Sequence, residues 1–230
     1  MSRATMLAAT KDLPRPPLYG IASCQVGTEF RDFEIGWDEV ERDTDWATAV
    51  LRTAGLTKGD FAITTMMSWE DAWSAPVIDA LRRLGVVFLP AEVFGWDAKR
   101  FVYFAQALAP KAIIGLGAET LDGIAQFDAD AGELLSGIPM VWAREDAYPK
   151  LAELGVPAHS YVRLGPALAL GLPGVGTVVN SAEWSVTSDD GRLIVSTAGE
   201  RASMFRELDT GIRGSVGRVT EHGVLVNFES

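Results

Sequence analysis

Side chains with strong nucleophilic or metal-binding character are scarce in this sequence. Its 230 residues include one cysteine, Cys24, and two histidines, His159 and His222. Three such residues leave almost nothing for a zinc site built from cysteine and histidine. Ser23 or Ser181 could be combined with His159 as a nucleophile and base, but the chain has no Gly-x-Ser-x-Gly elbow. We therefore expect Cys24 to be a small buried apolar residue and His222 to be a solvated turn residue.

Two further patterns are more typical of turns than of chemical sites. The glycines within residues 171–176 have nearly the spacing of a dinucleotide-binding turn, but Pro173 and the lack of a preceding strand argue against that reading. Asp189 and Asp190 precede a glycine, which favours a hairpin turn over a metal site. We predict no metal site.

Aromatic residues concentrate around a predicted strand at residues 86–89 and its carboxyl end, namely Trp69, Trp73, Phe94 and Trp96. Ligands of open parallel sheets bind at the carboxyl ends of the strands. Two interpretations remain open. The aromatic rings either pack in the core or an interface, or they form a wall for a hydrophobic acyl or aryl ligand.

Acidic residues outnumber basic ones, and the formal net charge is −11. This sign opposes binding to nucleic acid phosphates and to anionic membranes. Eight acids and two arginines fall within residues 28–45. That segment is either a solvated face of the fold or a docking surface for a basic protein partner.

In the first 165 residues, predicted helices alternate with short apolar strands. Helices are predicted at residues 43–54, 97–108 and 148–154, in a stretch after Ser68 that ends at Gly85, and in a broken form at 120–135. Strands are predicted at residues 61–67, 86–89, 111–116, 138–142 and 158–164. Such alternation is typical of an α/β fold with a parallel sheet covered on both faces.

The pattern of predicted secondary structure changes after residue 165. Strands are predicted at residues 175–179, 184–187, 192–197, 216–220 and 224–228, with hairpin turns between some of them. We therefore predict an α/β core at 1–165, a β-rich lobe at 175–230, and a Gly/Pro-rich junction loop at 164–176. The prolines of residues 11–20 predict an extended arm. A single cysteine and the lack of a signal-peptide core predict a cytoplasmic protein.

Several ordered segments resemble the AMP-forming acyl- and aryl-CoA ligases, nearest to the phenylacetate-CoA ligases. Residues 51–60 (Leu-Arg-Thr-Ala-Gly-Leu-Thr-Lys-Gly-Asp) and 80–90 (Ala-Leu-Arg-Arg-Leu-Gly-Val-Val-Phe-Leu-Pro) are similar to two runs of that family. Residues 109–114, 190–197 and 206–212 resemble later family strands and the "Arg-Tyr-x-Thr-Gly-Asp" motif. The resemblance implies a minimal adenylate-forming core followed by a small β-rich lobe.

The same resemblance exposes departures at the ATP motifs. Ser23, Gly27 and Thr28 match the family's Ser/Thr/Gly-rich phosphate loop, but Glu29 stands where the family has lysine. Two like charges 4 Å apart repel by about 4 kcal/mol at an effective dielectric of 20, so this acid would oppose a triphosphate. Ile212 replaces the aspartate that binds the ribose hydroxyls in the family.

Other implied site residues follow from the same alignment. Glu183 fits the family's magnesium-side acid, and the changed motif near residue 210 leaves a set of polar residues that could contact phosphate or move protons: Arg206, Asp209, Thr210 and Arg213. Apart from the alignment, Phe94 and Trp96 would face the ligand if the aromatic rings form a wall rather than pack in the core. The lobe that bears the family's catalytic lysine has no counterpart in the sequence.

These observations predict a degenerate ligase-like protein, a pseudoenzyme that does not form acyl-adenylates and is not a competent ATP-dependent ligase on its own. It would bind a small hydrophobic acid, a CoA ester or an AMP-like nucleotide fragment. Two alternatives remain open. One is a non-catalytic partner subunit or scaffold, with a protein partner or as a homodimer. The other is a repurposed enzyme that acts on a preactivated acid.

Overall fold

The fold is described by a computed structural model that covers residues 17–127 and 129–229. The strands of this part of the chain are β1 (Gly20–Val26), β2 (Glu29–Ile35), β3 (Phe61–Thr65), β4 (Val87–Ala91), β5 (Ala112–Leu116), β6 (Met140–Ala143), β7 (His159–Leu164), β8 (Ala167–Leu172), β9 (Gly176–Val179), β10 (Trp184–Asp189), β11 (Arg192–Thr197), β12 (Leu208–Thr220) and β13 (Gly223–Phe228). The helices are α1 (Trp37–Thr53), α2 (Asp71–Leu84), α3 (Ala98–Leu108), α4 (Ala118–Ile124), α5 (Ala131–Ser136) and α6 (Tyr148–Glu153).

Five strands form a parallel sheet in the order β7-β6-β5-β3-β4. Successive side chains of a strand point to opposite faces, so each strand contributes to two cores. Ala62 and Ile114 face the core that α1 and α2 cover, whereas Ile63 and Ile113 face the core that α3 and α4 cover. The predicted α/β class, with helices on both faces of a parallel sheet and a β-rich part after it, is confirmed.

The sheet continues from its parallel half into an antiparallel half. Strand β7 pairs in parallel with β6 and antiparallel with β8, and the order then runs β8-β9-β13-β12-β11-β10. The described residues thus form one eleven-stranded sheet and a separate two-stranded hairpin of β1 and β2. The division into an α/β core and a β-rich lobe stays a prediction.

The predicted loop within residues 164–176 is wrong, because this stretch contains the completely buried strand β8, whereas its role as a boundary between two units stays a prediction. Gly171, inside this strand, allows close packing against a neighbouring strand. A Cβ atom on Gly171 would lie 2.5 Å from the Ser160 nitrogen, and the Gly171 carbonyl accepts a hydrogen bond from the Trp142 indole at 2.7 Å. The Gly/Pro pattern therefore marks tight turns at each end of a strand, with small apolar residues between them.

One helix departs from its predicted start. Helix α1 begins at Trp37 rather than at residue 43, so the acids at its start are helical. Helix α2 begins at Asp71, within the predicted stretch after Ser68, and Pro76 lies inside it. Of the predicted extended arm, residues 11–16 lie outside the described residues. The hairpin turn after Asp189 is confirmed, since Asp190 and Gly191 have φ of 47° and 72°.

Within the described residues, none of the helices has the length and apolar character needed to cross a membrane.

Candidate functional site

An open cleft of about 380 Å³ lies at one edge of the parallel sheet. Four adjacent strands supply residues to it from just beyond their carboxyl ends: Glu70 after β3, Val93 after β4, Glu119 after β5 and Arg144 after β6. Strand β7 adds side chains from its middle. This is the edge at which open parallel sheets bind ligands.

A buried ion pair forms the floor of the cleft. Arg144 donates to both carboxylate oxygens of Glu70 at 2.6 Å each, and it also donates to the carbonyls of Thr65 and Gly115 at 3.0 and 2.8 Å. Arg163 lies 3.0 Å from the same carboxylate. Burial alone would raise the pKa of Glu70, but the hydrogen bonds and charge of Arg144, together with the charge of Arg163, bring that pKa below its ordinary value.

Tyr161 carries an unsatisfied hydroxyl beside this ion pair. The side chain is buried, it lines the cleft, and its hydroxyl has no hydrogen-bond partner within the described residues. The Arg144 guanidinium lies 5.5 Å from the centre of its ring. Burial raises the pKa of the phenol, so the hydroxyl keeps its proton and can donate it. A buried hydroxyl without a partner costs about 1–3 kcal/mol, which a ligand oxygen could recover.

Three carboxylates surround the mouth of the cleft: Glu119, Glu145 and Asp146, all exposed. Asp146 accepts a hydrogen bond from the Ala118 amide at 3.3 Å. Partial burial, followed by the neighbouring Asp146, raises the pKa of Glu145, while the Arg163 charge acts in the opposite direction. We call these three residues the acidic rim.

The aromatic cluster predicted near β4 is divided between core and surface. Trp73 is buried and donates to the Gly165 carbonyl at 3.1 Å, so for this residue the packing interpretation holds. Trp69 and Trp96 are 64% and 65% exposed. Phe94 joins them, with ring centres 6.2 Å from Trp69 and 5.9 Å from Trp96. Trp69 lines the cleft, whereas Phe94 and Trp96 lie beside Trp69 and outside the cleft lining. We call these three rings the aromatic wall.

A glycine contact holds the turn that carries Trp96. Gly123 of α4 touches the backbone of Gly95 so closely that a Cβ atom would lie 2.5 Å from the Gly95 carbonyl oxygen and 2.6 Å from the Ala98 Cβ. We expect Gly123→Ala to lower the free energy of unfolding by about 1–3 kcal/mol, since backbone must move to admit the methyl group. Urea unfolding measures this change. Gly137→Ala, where a Cβ would meet nothing within 4 Å, is the control and should change stability little.

The predicted phosphate loop lies elsewhere, in the hairpin of β1 and β2. Ser23 is in β1 and donates to the Asp32 carboxylate, while Gly27 and Thr28 form the two-residue turn. Gly27 has a φ of 61°, which favours glycine. Glu29 is exposed at the start of β2. The cleft lining includes none of these residues, and their role in ligand binding stays a prediction.

Glu183 is held in a buried ionic cluster rather than facing a ligand. Arg42 donates to it at 2.6 Å and Arg201 at 2.9 Å. Arg201, which is 6% exposed, also pairs with Glu39 at 3.0 Å and Asp43 at 2.9 Å. Two arginines thus bind three buried or nearly buried carboxylates. The cluster joins α1 to the segments that flank β10 and β11.

The other predicted polar residues also lie outside the cleft lining. Asp209 pairs with Arg192 at 2.5 Å, and Arg213 pairs with Glu229 at 2.8 Å. The Thr210 hydroxyl donates to the Leu193 carbonyl at 2.8 Å, and Arg206 is exposed. These contacts are those of surface ion pairs and a strand hydrogen bond. A role for this group in ligand chemistry remains a prediction.

The cysteine and histidines occupy packing positions. Cys24 is buried, and burial raises the pKa of its thiol, as expected for an apolar role. Burial lowers the pKa of His159, whose ring lies 5.9 Å from that of Trp142. The expectation of a solvated His222 is wrong, because its side chain is 12% exposed and its carbonyl accepts a bond from the Trp46 indole. The described residues contain no His/Cys/Asp/Glu group placed to hold a metal ion.

Sequence reasoning missed the floor of the cleft. No motif in the sequence pointed to the residues that form this floor, which are Glu70, Arg144, Tyr161 and Arg163. Their one available signal was position, since Glu70 and Arg144 come within a few residues of the ends of predicted strands. A charged residue at such a position is a candidate for a site at the sheet edge.

Comparison with known proteins defines the class of fold. No protein-family model and no curated protein matches the sequence. Among solved structures, an open conformation of 2-hydroxyisobutyryl-CoA ligase in complex with 2-HIB-AMP and CoA is similar with a TM-score of 0.68 at 12% identity, over 93% of this chain and 56% of that one. O-succinylbenzoate coenzyme A synthetase from Bacillus subtilis, in complex with AMP, is similar with a TM-score of 0.51 at 11% identity, over 91% and 61%.

The resemblance to AMP-forming acyl-CoA ligases is thereby confirmed at the level of the fold. This chain spans a little over half the length of the 2-hydroxyisobutyryl-CoA ligase chain that it matches. At these identities the similarity concerns architecture, and the residues of the cleft have to be interpreted from their own chemistry.

Proposed function

We propose that the protein binds a small hydrophobic acid, the CoA ester of such an acid or an AMP-like nucleotide fragment in the cleft. The observation that carries this proposal is the juxtaposition of exposed aromatic rings with an arginine at the carboxyl edge of the parallel sheet. The aromatic wall offers apolar contact area, and Arg163, with 43% of its side chain exposed, offers charge-assisted hydrogen bonds. The bound CoA and acyl-adenylate of the 2-hydroxyisobutyryl-CoA ligase make the ligand class plausible for this fold.

We further propose that the protein does not form acyl-adenylates. Glu29 stands at the position that resembles the family's phosphate-binding lysine, on an exposed hairpin. Ile212 offers no side-chain hydrogen bond to a ribose. Glu183, the residue that resembles the magnesium-side acid, is paired with two arginines. Substrate-dependent exchange of pyrophosphate into ATP should therefore be undetectable, and robust exchange would contradict this part of the proposal.

The binding proposal is tested with Trp69→Ala, which removes the ring of the aromatic wall that lines the cleft. A panel of Mg-ATP, AMP, CoA, acetyl-CoA, phenylacetyl-CoA and free aryl acids is first examined by thermal shift, and a ligand at 100 times its dissociation constant should stabilise by about 2.7 kcal/mol. Calorimetry should then show up to roughly 10-fold weaker binding of that ligand to the variant, since one aromatic contact is worth about 0.5–1.5 kcal/mol. Tyr103→Ala, which removes an exposed ring from outside the cleft, is the control. Equal affinity for Trp69→Ala and wild type would contradict a role for this ring.

A partner-subunit function has one specific observation in its favour. Ile21 and Phe30 are 69% and 72% exposed in the hairpin of β1 and β2. Asp32 and Glu34 are also exposed on this hairpin, opposite Ser23 and Ile21, so its surface combines apolar and negative groups, a composition suited to a basic protein partner. Specific capture of one partner by wild type but not by Phe30→Asp would support this second candidate.

A further inference from the structure

Charge in the cleft is separated by depth. At the floor, two arginines share the single carboxylate of Glu70, so this region carries a net positive charge. At the mouth, the acidic rim carries three carboxylates. Glu119 and Glu145 form no ion pair within the part of the chain that the structure describes. A ligand that is purely anionic would satisfy the floor but would be repelled by the rim.

The floor has unused hydrogen-bond donors on one strand. Arg163 and Tyr161 are two residues apart in β7, so their side chains leave the same face of the strand. Arg163 forms an ion pair with Glu70 and lies over the Trp73 ring at 5.4 Å, and the Tyr161 hydroxyl has no hydrogen-bond partner within the described residues. A guanidinium has five N–H donors, so both residues have donors to offer to the two oxygens of a carboxylate.

The mouth offers the opposite chemistry within reach of these donors. Glu145 and Arg163 line the same cleft, whose volume of about 380 Å³ is on the scale of one small ligand. Glu145 also has Asp146 beside it, and a pair of adjacent carboxylates is stabilised by a cation. Trp69, at the same mouth, presents an aromatic face that attracts organic ammonium groups and packs against apolar ones.

We propose that the ligand of the cleft is a small zwitterion with an apolar group, of the class of aromatic α-amino acids. Its carboxylate binds Arg163 and the Tyr161 hydroxyl, its ammonium group faces Glu145 and Asp146, and its ring packs on Trp69. This inference rests on the proposed function, since it specifies which small hydrophobic acid the cleft selects. It adds that the ligand must carry a positive charge, which does not follow from the fold or from the binding of a simple acid.

The test uses three ligands that share one ring and differ in charge. L-phenylalanine carries both groups, 3-phenylpropanoate lacks the ammonium group, and 2-phenylethylamine lacks the carboxylate. Calorimetry on the wild-type protein should show phenylalanine binding at least about 10-fold more tightly than either other compound. Equal binding of 3-phenylpropanoate would overturn the inference and leave the proposed function standing. Equal binding of 2-phenylethylamine would overturn the assignment of the carboxylate site.

The remaining outcomes separate the two proposals. If none of the three binds but phenylacetyl-CoA or AMP does, the zwitterion inference fails and the proposed function holds. If nothing in either panel binds, both fail. Phenylalanine binding with the stated preference supports both.

Two conservative variants assign the groups. Glu145→Gln should weaken phenylalanine binding about 10-fold and tighten 3-phenylpropanoate binding slightly, because it removes a carboxylate that repels the anion, whereas Tyr161→Phe should weaken both. Glu153→Gln, an exposed acid outside the cleft lining, controls for net charge. Equal weakening of both ligands by Glu145→Gln would show a merely structural effect and overturn the assignment of the ammonium site. Unfolding curves establish that each variant is folded, and Tyr161→Phe should be at least as stable as wild type because it removes an unsatisfied hydroxyl.

Discussion

Replacement of Arg201 by methionine is expected to lower the free energy of unfolding by about 3–5 kcal/mol or more, because it leaves buried carboxylates without their counter-ion. Arg201 contacts Glu39, Asp43 and Glu183, and its guanidinium lies 4.4 Å from the centre of the Trp184 ring. Only Arg42 would remain among the arginines of the cluster. Guanidinium chloride unfolding at pH 7 measures the loss.

Two comparisons make this result specific. Arg206→Met removes an exposed arginine a few residues along the same loop and should change stability by less than about 0.5 kcal/mol. Burial already raises the pKa of Asp43, against the opposing effect of Arg201, so this carboxyl gains protons in the folded state more readily than in the unfolded state. The deficit of Arg201→Met should therefore shrink as the pH falls from 7 to about 5. A deficit that grows on acidification would contradict a cause in unpaired carboxylates.

The second large effect is expected at the floor of the cleft. Arg144→Met removes the bidentate partner of Glu70, which is buried, and two hydrogen bonds to main-chain carbonyls. We expect a loss of about 3–5 kcal/mol in the free energy of unfolding. Arg82→Met, which removes an exposed arginine paired with Asp79 at 2.6 Å in α2, should cost less than about 1 kcal/mol.

The pH dependence of this pair has a definite sign. The folded-state pKa of Glu70 is below its ordinary value of 4.5, so the ion pair contributes its full stability above that value and loses it as the pH falls through the folded-state pKa. Without Arg144, burial shifts the pKa of Glu70 upward, so the difference in stability between wild type and Arg144→Met should be largest at neutral pH and should narrow as the pH falls toward and below 4.5. If Arg144→Met and Arg82→Met lower the free energy of unfolding by the same small amount, the ion pair of Arg144 and Glu70 does not stabilise the floor of the cleft.

The α/β part was predictable because its signals are local. Short apolar strands separated by helices with one apolar face define a parallel sheet in almost any context. Strand β8 was mispredicted as a loop because it contains a glycine and is flanked by glycine and proline turns. The close approach of Gly171 to Ser160, which requires that glycine, appears only in the folded chain. The start of α1 was missed because its acids are stabilised by Arg201, more than 150 residues further along the chain.

The site was only partly predictable because most of its residues are brought together from distant parts of the sequence. Phe94 and Trp96 were recognised because they follow a strand directly. Glu183 was assigned a role toward metal by resemblance, whereas its environment is an arginine cluster that only the folded chain assembles. Arg163 gave no signal, because a single arginine in a strand is ordinary until the strand's neighbours are known.

The long separation between the members of that cluster has a consequence for the order of folding. Asp43 and Arg201 are 158 residues apart in sequence and directly bonded in space. At a synthesis rate of about 5–20 residues per second, α1 leaves the ribosome roughly 8–30 s before its counter-ion does. During that interval Glu39 and Asp43 remain hydrated, because burial of this part of α1 would leave them without their counter-ion. Docking of α1 against the last strands is therefore a late event, and its partly folded precursor exposes a negatively charged helix face that resists association with other copies of itself.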